Sequence, residues 1–309
     1  MTSDTPLSNQ DMKNWINNKL SSLSERDILS LIEEINQTGT SDQRVQEITQ
    51  EFTDCIGVLL LPVAQYHFYR ARFWGNKNNY PSNLTELLEP PPEATKMGRC
   101  NIESNPVLYV STHPRALIAE CRFKSGDIYV LTQFDRTLKT EDLSCLLLGL
   151  DGLQKFEGDA GMLEMEKFRK DFFGEHYSLY KFIESQLHSQ FVKAADSNNL
   201  TYNFTANLCQ RFFSICPDLD AIVYPSIETS GIVNNLAIRP SKYSKTYTAS
   251  KAGLFEVLSD GSSRQLMGAT ITSDGNLNWN RVTDIDGPKA VALKKIDPKD
   301  NRIYIAPWK

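Results

Sequence analysis

The stretch from Val107 to Glu120 reads Val-Leu-Tyr-Val-Ser-Thr-His-Pro-Arg-Ala-Leu-Ile-Ala-Glu and combines two secondary-structure patterns. Its first five residues are rich in β-branched, aliphatic and aromatic side chains and predict a buried strand. Pro114 suits a first helical position, and the residues after it favour a short helix. Because a charged group in apolar surroundings needs partners, we expect Glu120 to turn toward the strand that carries Tyr109 and to face a cleft.

Three further polar residues lie in or beside short apolar runs. Arg70 follows Phe68-Tyr69, Arg99 follows Gly98, and Ser226 comes after a strand predicted over 221–224 and Pro225. Arg72 lies on the same face of the predicted strand as Arg70 and competes with it for one role. We select Arg70 because it follows the apolar-aromatic run directly. Each residue alone has an ordinary structural explanation, such as a surface ion pair or a turn, so the combination is what indicates a site.

Together these segments resemble the RES domain family, named for its arginine, glutamate and serine. The resemblance runs from about Tyr66 to about Pro240 and rests on four segments in the family's order: 68–72, 98–101, 107–120, and 220–226 with 235–237 after it. Cys100 is a departure, because the family usually has tryptophan or phenylalanine at that position. The resemblance implies an α+β fold with an ADP-ribosyltransferase-like core.

The resemblance also implies a reaction, the loss of nicotinamide from NAD+. NAD+ is then a consumed substrate, and no cofactor or metal is expected. By the match to the family, the resemblance implies that the catalytic residues are Glu120, Arg99 and Tyr109. It implies that NAD+ is bound by Arg70, Arg99, Tyr109 and Ser226. An arginine neutralises phosphate, a tyrosine flanks the nicotinamide, a serine hydrogen-bonds the amide or ribose, and a carboxylate stabilises the cation left on the ribose.

The acceptor of the ribosyl group stays open. Water gives hydrolysis, phosphate gives phosphorolysis, and a protein side chain gives mono-ADP-ribosylation. Members of the family act as bacterial toxins that are paired with a helix-turn-helix Xre-like antitoxin, so such a protein is an expected partner. The alternative from another class is an inactive binding module with the same fold. The sequence has no Gly-x-Ser-x-Gly elbow, phosphate loop or Rossmann fingerprint, which disfavours serine hydrolases, NTPases and hydride-transfer enzymes.

The chain divides into three predicted regions: a helical N-terminal extension over 1–62, the RES-like domain over 63–240, and a β-rich C-terminal extension over 241–309. The domain carries a predicted helical insertion at about 140–200. Ser24 predicts one helix start, and Thr40 with Gln43 forms a capping-box pattern for another. Helical apolar stripes are predicted for Leu143, Leu146, Leu147 and Leu150, for Tyr180, Ile183, Leu187 and Phe191, and for Phe204, Leu208, Phe212 and Phe213.

The C-terminal extension alternates short β-like runs with Asp-Gly turns at 260–261, 274–275 and 286–287, which predicts a meander or small sheet. These runs are 254–258, 266–271, 277–279, 290–293 and 303–305. Such a meander either extends the main sheet or forms a small lobe.

Composition excludes several classes of protein. The chain has 309 residues and a net charge of −5, with a pI of about 5.5, which disfavours direct nucleic-acid binding. Its six cysteines and four histidines are scattered, which indicates reduced thiols and gives no support for a metal site. The apolar run 56–64, interpreted as the end of a buried helix, is too short to cross a membrane, and no leader peptide is recognised at the start. We expect a cytoplasmic protein, and homo-oligomerisation stays open.

Overall fold

A mixed sheet organises the fold, with helices packed against it. The computed structural model describes residues 9–37, 39–137, 141–149, 160–193, 200–226, 233–240 and 242–281. Within them the sheet has ten strands in the order β1-β5-β6-β7-β3-β2-β4-β8-β9-β10. The strands are β1 Leu60–Val63, β2 His67–Phe73, β3 Leu108–Ser111, β4 Ile128–Arg136, β5 Leu143–Leu147, β6 Ala221–Pro225, β7 Asn234–Ile238, β8 Tyr247–Val257, β9 Ser263–Ile271 and β10 Leu277–Arg281.

Helices precede the first strand, occur between later strands along the chain, and pack on one face of the sheet. The described chain is therefore of the α+β class. The α-helices are α1 Asn9–Ser21, α2 Glu25–Ile35, α3 Asp42–Ile56, α4 Pro114–Glu120, α5 Ala160–Phe173, α6 Tyr177–Phe191, α7 Leu200–Ile215 and α8 Tyr243–Thr246. Short 3-10 turns occur at Leu84–Leu87, Pro92–Ala94 and Gly174–His176. No helix in these ranges is long and apolar enough to cross a bilayer.

The predicted helix starts are confirmed in one case and shifted in another. Ser24 caps α2, and its capping box with Asp27 is complete. The predicted capping box of Thr40 and Gln43 is wrong, because Ser41 is the N-cap of α3 and accepts from the backbone N–H of Arg44. The Thr40 hydroxyl instead donates to the Glu34 carbonyl at the end of α2. Thr40 therefore belongs to the end of the preceding helix. The N-cap of α3 lies one residue later than predicted, which is within the usual uncertainty of a helix boundary.

The helical interpretation of Leu143, Leu146 and Leu147 is wrong, because these residues form β5. This strand pairs antiparallel with β1 and parallel with β6. Leu146 packs into the core on one face of the sheet, and Leu143 and Leu147 pack into the core on the other. Both faces of the strand are therefore apolar, and its sequence loses the alternation that marks a half-exposed strand. Leu150 lies outside the described residues. The run 56–64 is likewise more than a helix end, since α3 stops at Ile56 and β1 follows.

The other helical stripes are confirmed as core. Residues of α6 and α7 pack with α3 on one face of the sheet, and Phe52 of α3 meets the ring of Phe204 edge-on at 5.2 Å. The opposite face builds a second core largely from strand residues, among them Leu61 of β1 and Tyr247 of β8. β1 and β2 are five positions apart in the sheet order, yet only residues 64–66 connect them. The sheet is therefore strongly curved.

The C-terminal runs extend the main sheet, which settles the choice that the sequence left open. β8, β9 and β10 form an antiparallel meander, and β8 pairs along the whole of β4. The predicted runs 290–293 and 303–305 lie outside the described residues.

The junction between β2 and β3 is the least bonded place in the sheet. β2 pairs with β4 along its whole length, and β3 pairs with β7 along its own. Between β2 and β3 the register contains only the pair Tyr69 and Ser111, so the two strands diverge beyond Tyr69. The helix α4 packs against both strands at this junction.

Candidate functional site

A cleft opens where β2 and β3 diverge. Its cavity volume is about 280 Å³, close to the lower end of the range of small-molecule sites. Four of the residues singled out by the sequence line it, namely Arg70, Arg99, Tyr109 and Glu120, together with Tyr202, Tyr224 and Asn235. Strand divergence thus creates the space, and residues far apart in the chain meet around it.

Arg70 takes the place of the missing strand pairing. Its Nη1 donates to the carbonyl of Tyr109 on β3 at 3.0 Å, and its Nε donates to the carbonyl of Leu87 at 3.0 Å. Burial lowers the pKa of Arg70 to about 10, and the nearby charge of Arg72 adds to this shift. The guanidinium is still protonated at neutral pH, and the two carbonyl dipoles together with the nearby Glu89 offset part of the cost of burying its charge. An anion in the cleft would offset more of that cost.

Arg72, the competing arginine, belongs to a neighbouring groove. Its Nη1 donates to the carbonyl of Glu86, and its side chain lines a groove with Trp74 and the proline run 90–92. Both arginines point from the same face of β2, as the spacing predicts, but only Arg70 lines the cleft.

Arg99 holds the end of α6. The side chain is buried, and its Nη atoms donate to the carbonyls of Phe191 and, at 3.2 Å, Lys193. A cation is favoured at this end of a helix because the unpaired carbonyls carry partial negative charge. The guanidinium also lies 4.9 Å from the ring centroid of Tyr202 on α7. Arg99 therefore ties α6 and α7 to the wall of the cleft.

The Tyr109 hydroxyl fixes the turn that carries Arg99. It accepts from the backbone N–H of Cys100 at 2.7 Å and donates to Oδ1 of Asn101 at 2.8 Å. Burial raises the pKa of Tyr109, so the phenol stays protonated and keeps its donor role. A side chain on Gly98 would place its Cβ 2.6 Å from Asn101 Oδ1 and 2.9 Å from the Tyr109 hydroxyl. The small residue before Arg99 is therefore required by this bond.

Glu120 ends α4 and receives two donors from the neighbouring strands. The hydroxyl of Ser226, just after β6, donates to Glu120 Oε1 at 2.5 Å, and Nδ2 of Asn235 on β7 donates to the same oxygen at 3.1 Å. Ser226 and Asn235 are both buried. Hydrogen bonds to a carboxylate are stronger than neutral ones, so these donors fix the orientation of Glu120 toward the cleft.

No protein-family model matches this chain, and no curated protein matches it. The functional argument therefore rests on the chemistry of the cleft. Within the described ranges, no cluster of His, Cys, Asp and Glu is placed to hold a metal ion.

Among the cleft residues that the sequence did not single out, two tyrosines and an asparagine bear on the chemistry of the site. Tyr224 faces the cleft and meets Tyr109 edge-on at 6.5 Å between ring centroids. Tyr224 lies two residues before Ser226, and side chains two apart on a strand share a face. Strand alternation could therefore have predicted that Tyr224 lies near the site. Asn235 was quoted only as part of a matching segment, and no signal in the sequence pairs it with Glu120. Tyr202 lies in the first turn of α7, and its sequence context does not distinguish it from other residues of an amphipathic helix.

Replacing Tyr109 by phenylalanine tests the structural role of its hydroxyl. The change leaves the Cys100 N–H and the Asn101 oxygen without their partner, so we expect a loss of about 1–3 kcal/mol in the free energy of unfolding. Urea denaturation measures it. Tyr80→Phe is the matched control, because that ring lies at the surface beside Trp279 and should change stability little. Equal stability of Tyr109→Phe and the wild type would contradict the assigned bonds.

Proposed function

We propose that this protein consumes NAD+ by cleaving the bond between nicotinamide and ribose. The observation that carries the proposal is the carboxylate of Glu120, held by Ser226 and Asn235 at the wall of a cleft that also bears arginine and tyrosine side chains. Cations that develop on a sugar ring need such a preorganised negative charge. The resemblance to the RES domain family supports the same reaction.

The phosphate end of the substrate is assigned to Arg70. Two of its nitrogens bond to carbonyls, and the side chain lines the cleft. A guanidinium bound in this way can still give N–H donors to a pyrophosphate oxygen. The buried charge of Arg99 adds positive potential to the same wall, while its Nη atoms hold α6 in place.

The nicotinamide end is assigned to the aromatic side of the cleft. Tyr109, Tyr202 and Tyr224 all line it, and an aromatic face attracts a cationic ring such as the pyridinium of NAD+. The Ser226 hydroxyl is bonded to Glu120. We therefore assign Ser226 to holding the Glu120 carboxylate and not to direct contact with the substrate.

Cleavage needs one bond to break and one to form. The electrons of the bond between the nicotinamide nitrogen and the ribose C1 leave with the ring, which neutralises the pyridinium and releases nicotinamide. The positive charge passes to the ribose, where the Glu120 carboxylate stabilises it. Water then adds to C1 and loses a proton, which gives ADP-ribose; with phosphate as the acceptor, an ADP-ribose phosphate ester forms.

The deciding experiment incubates the purified protein with NAD+ and separates the products by chromatography. Parallel reactions contain buffer alone, added phosphate, or proteins of a cell lysate with labelled NAD+. Nicotinamide release supports the proposal, and the companion product identifies the acceptor as water, phosphate or protein. Mono-ADP-ribosylation is thus one readable outcome. Intact NAD+ in all three reactions contradicts the proposal and favours the alternative, an inactive binding module with the same fold.

The cellular role that we propose is that of a bacterial toxin controlled by an Xre-like antitoxin. Expression of the chain without such a partner should deplete NAD+ and arrest growth. Growth arrest with an unchanged NAD+ level would contradict an NAD+-consuming toxin. Expression of the Glu120→Gln variant at the same level is the control for a burden of expression alone.

Substitutions at the surface of the flanking regions should spare the chemistry. Arg26 on α2 and Lys251 on β8 are exposed and lie outside the cleft lining. Arg26→Ala and Lys251→Ala are expected to keep NAD+ turnover within about twofold of the wild type, as is usual for surface changes. Steady-state kinetics on folded protein checks this. Loss of turnover in either variant would show that a flank completes the site.

A further inference from the structure

The side-chain amide of Asn235 has a fixed orientation. A carboxylate only accepts hydrogen bonds, so the atom that contacts Glu120 Oε1 at 3.1 Å must be Nδ2. The amide oxygen then faces away from Glu120. Asn235 lies on β7 opposite Tyr224 of β6 and Ser111 of β3, in the middle of paired strands that hold its backbone firmly.

The amide oxygen of Asn235 lacks a donor. Its Oδ1 is buried and makes no hydrogen bond with any residue in the described ranges, and the residue is only 6% exposed. A buried acceptor without a partner costs free energy. Asn235 also lines the cleft, so a molecule bound there can supply the missing donor.

We propose that Asn235 determines substrate specificity by accepting a hydrogen bond from a donor of the bound molecule next to the scissile bond. The inference rests on the proposed function, because Glu120 then marks the position of the ribose C1. The amide nitrogen orients Glu120 by donating to it, and the amide oxygen accepts a hydrogen bond from the substrate. Substrates that lack the donor leave Oδ1 unpaired and react less well.

Two groups of NAD+ carry a donor close to C1. One is the ribose 2′-hydroxyl, and the other is the N–H of the nicotinamide carboxamide. Two analogues separate them: NAD+ with a 2′-deoxy nicotinamide ribose lacks the hydroxyl, and 3-acetylpyridine adenine dinucleotide lacks the amide N–H. Each analogue has its own intrinsic reactivity, which is the same for all variants. The informative quantity is therefore the preference for NAD+ over the analogue, as a ratio of kcat/KM values, compared between variants.

Asn235→Ala removes the acceptor, so the preference over one of the two analogues should fall by roughly tenfold, as expected for one hydrogen bond. Asn235→Asp keeps an acceptor and should retain the preference.

Asn234→Ala is the matched control. Asn234 is the preceding residue of β7, is equally buried, and faces the opposite side of the sheet because side chains alternate. It should leave both preferences unchanged. Where Asn235→Ala does not fold, as judged by circular dichroism, Asn235→Ser serves instead, because its short hydroxyl does not reach the position of Oδ1.

The outcomes are distinguishable. Turnover of NAD+ with unchanged preferences in Asn235→Ala overturns this inference and leaves the proposed function standing. No turnover of NAD+ by the wild type overturns both. A lost preference that the aspartate restores supports the inference, and the analogue concerned identifies the donor. A preference that is lost equally in Asn234→Ala also overturns it, since general disturbance of β7 then explains the result.

Discussion

The Glu120→Gln variant is expected to lower kcat for NAD+ cleavage by roughly 10²–10³-fold, the usual loss when one electrostatic group is removed from a transition state. The amide oxygen of glutamine still accepts from Ser226 and Asn235, so the local packing is kept. Only the charge that a cationic ribose needs is removed. Single-turnover measurements of nicotinamide release, with calorimetric titration of NAD+ binding, separate the loss of rate from a loss of affinity.

Glu175→Gln is the matched control for this substitution. The Glu175 side chain is 89% exposed and lies at the 3-10 turn before α6, so the same change of charge should leave kcat unaltered. Retention of more than a tenth of the wild-type rate in Glu120→Gln would show that Glu120 is not the carboxylate that stabilises the cation.

Arg70→Ala is expected to raise KM for NAD+ by roughly 10–100-fold, the equivalent of one charge-assisted hydrogen bond. It should also destabilise the fold by about 1–3 kcal/mol, because the carbonyls of Tyr109 and Leu87 lose their donor. Kinetics and urea denaturation measure the two effects. Arg70→Lys should lower affinity as well, since an ammonium group cannot serve both carbonyls and a phosphate in the geometry of a guanidinium.

Arg72→Ala serves as the comparison, because Arg72 projects from the same face of the same strand. Its contact with the Glu86 carbonyl is outside the cleft, so KM should change by less than about threefold, within the usual range for a substitution away from a site. If Arg72 were the more sensitive residue, the assignment of the first arginine to Arg70 would be wrong.

The sequence predicts local structure well where one periodicity dominates. The strand and helix over 107–120 are confirmed as β3 and α4, with α4 starting at Pro114 as expected. The stripes of α6 and α7 and the strand before Ser226 are also confirmed. Over 143–147 the pattern misleads, because a strand buried on both faces is as apolar as a core helix.

The composition of the site is harder to predict than its location. Arg70, Arg99, Tyr109 and Glu120 do line one cleft, yet their hydrogen-bond partners depend on long-range packing. The carbonyls that receive Arg99 belong to the end of α6, about ninety residues away in the chain. No pattern near Arg99 indicates them. The same holds for Asn235, whose importance arises only from its contact with Glu120.

The single pair between β2 and β3 divides the sheet into two blocks of five strands, β1-β5-β6-β7-β3 and β2-β4-β8-β9-β10. Each block is continuously bonded, so amide hydrogens within a block should exchange with solvent far more slowly than those at the junction. A molecule that contacts Arg70 on one side and Asn235 on the other would join the two blocks. Occupancy of the cleft would then be visible in hydrogen-exchange mass spectrometry as slower exchange of the backbone amides along the junction.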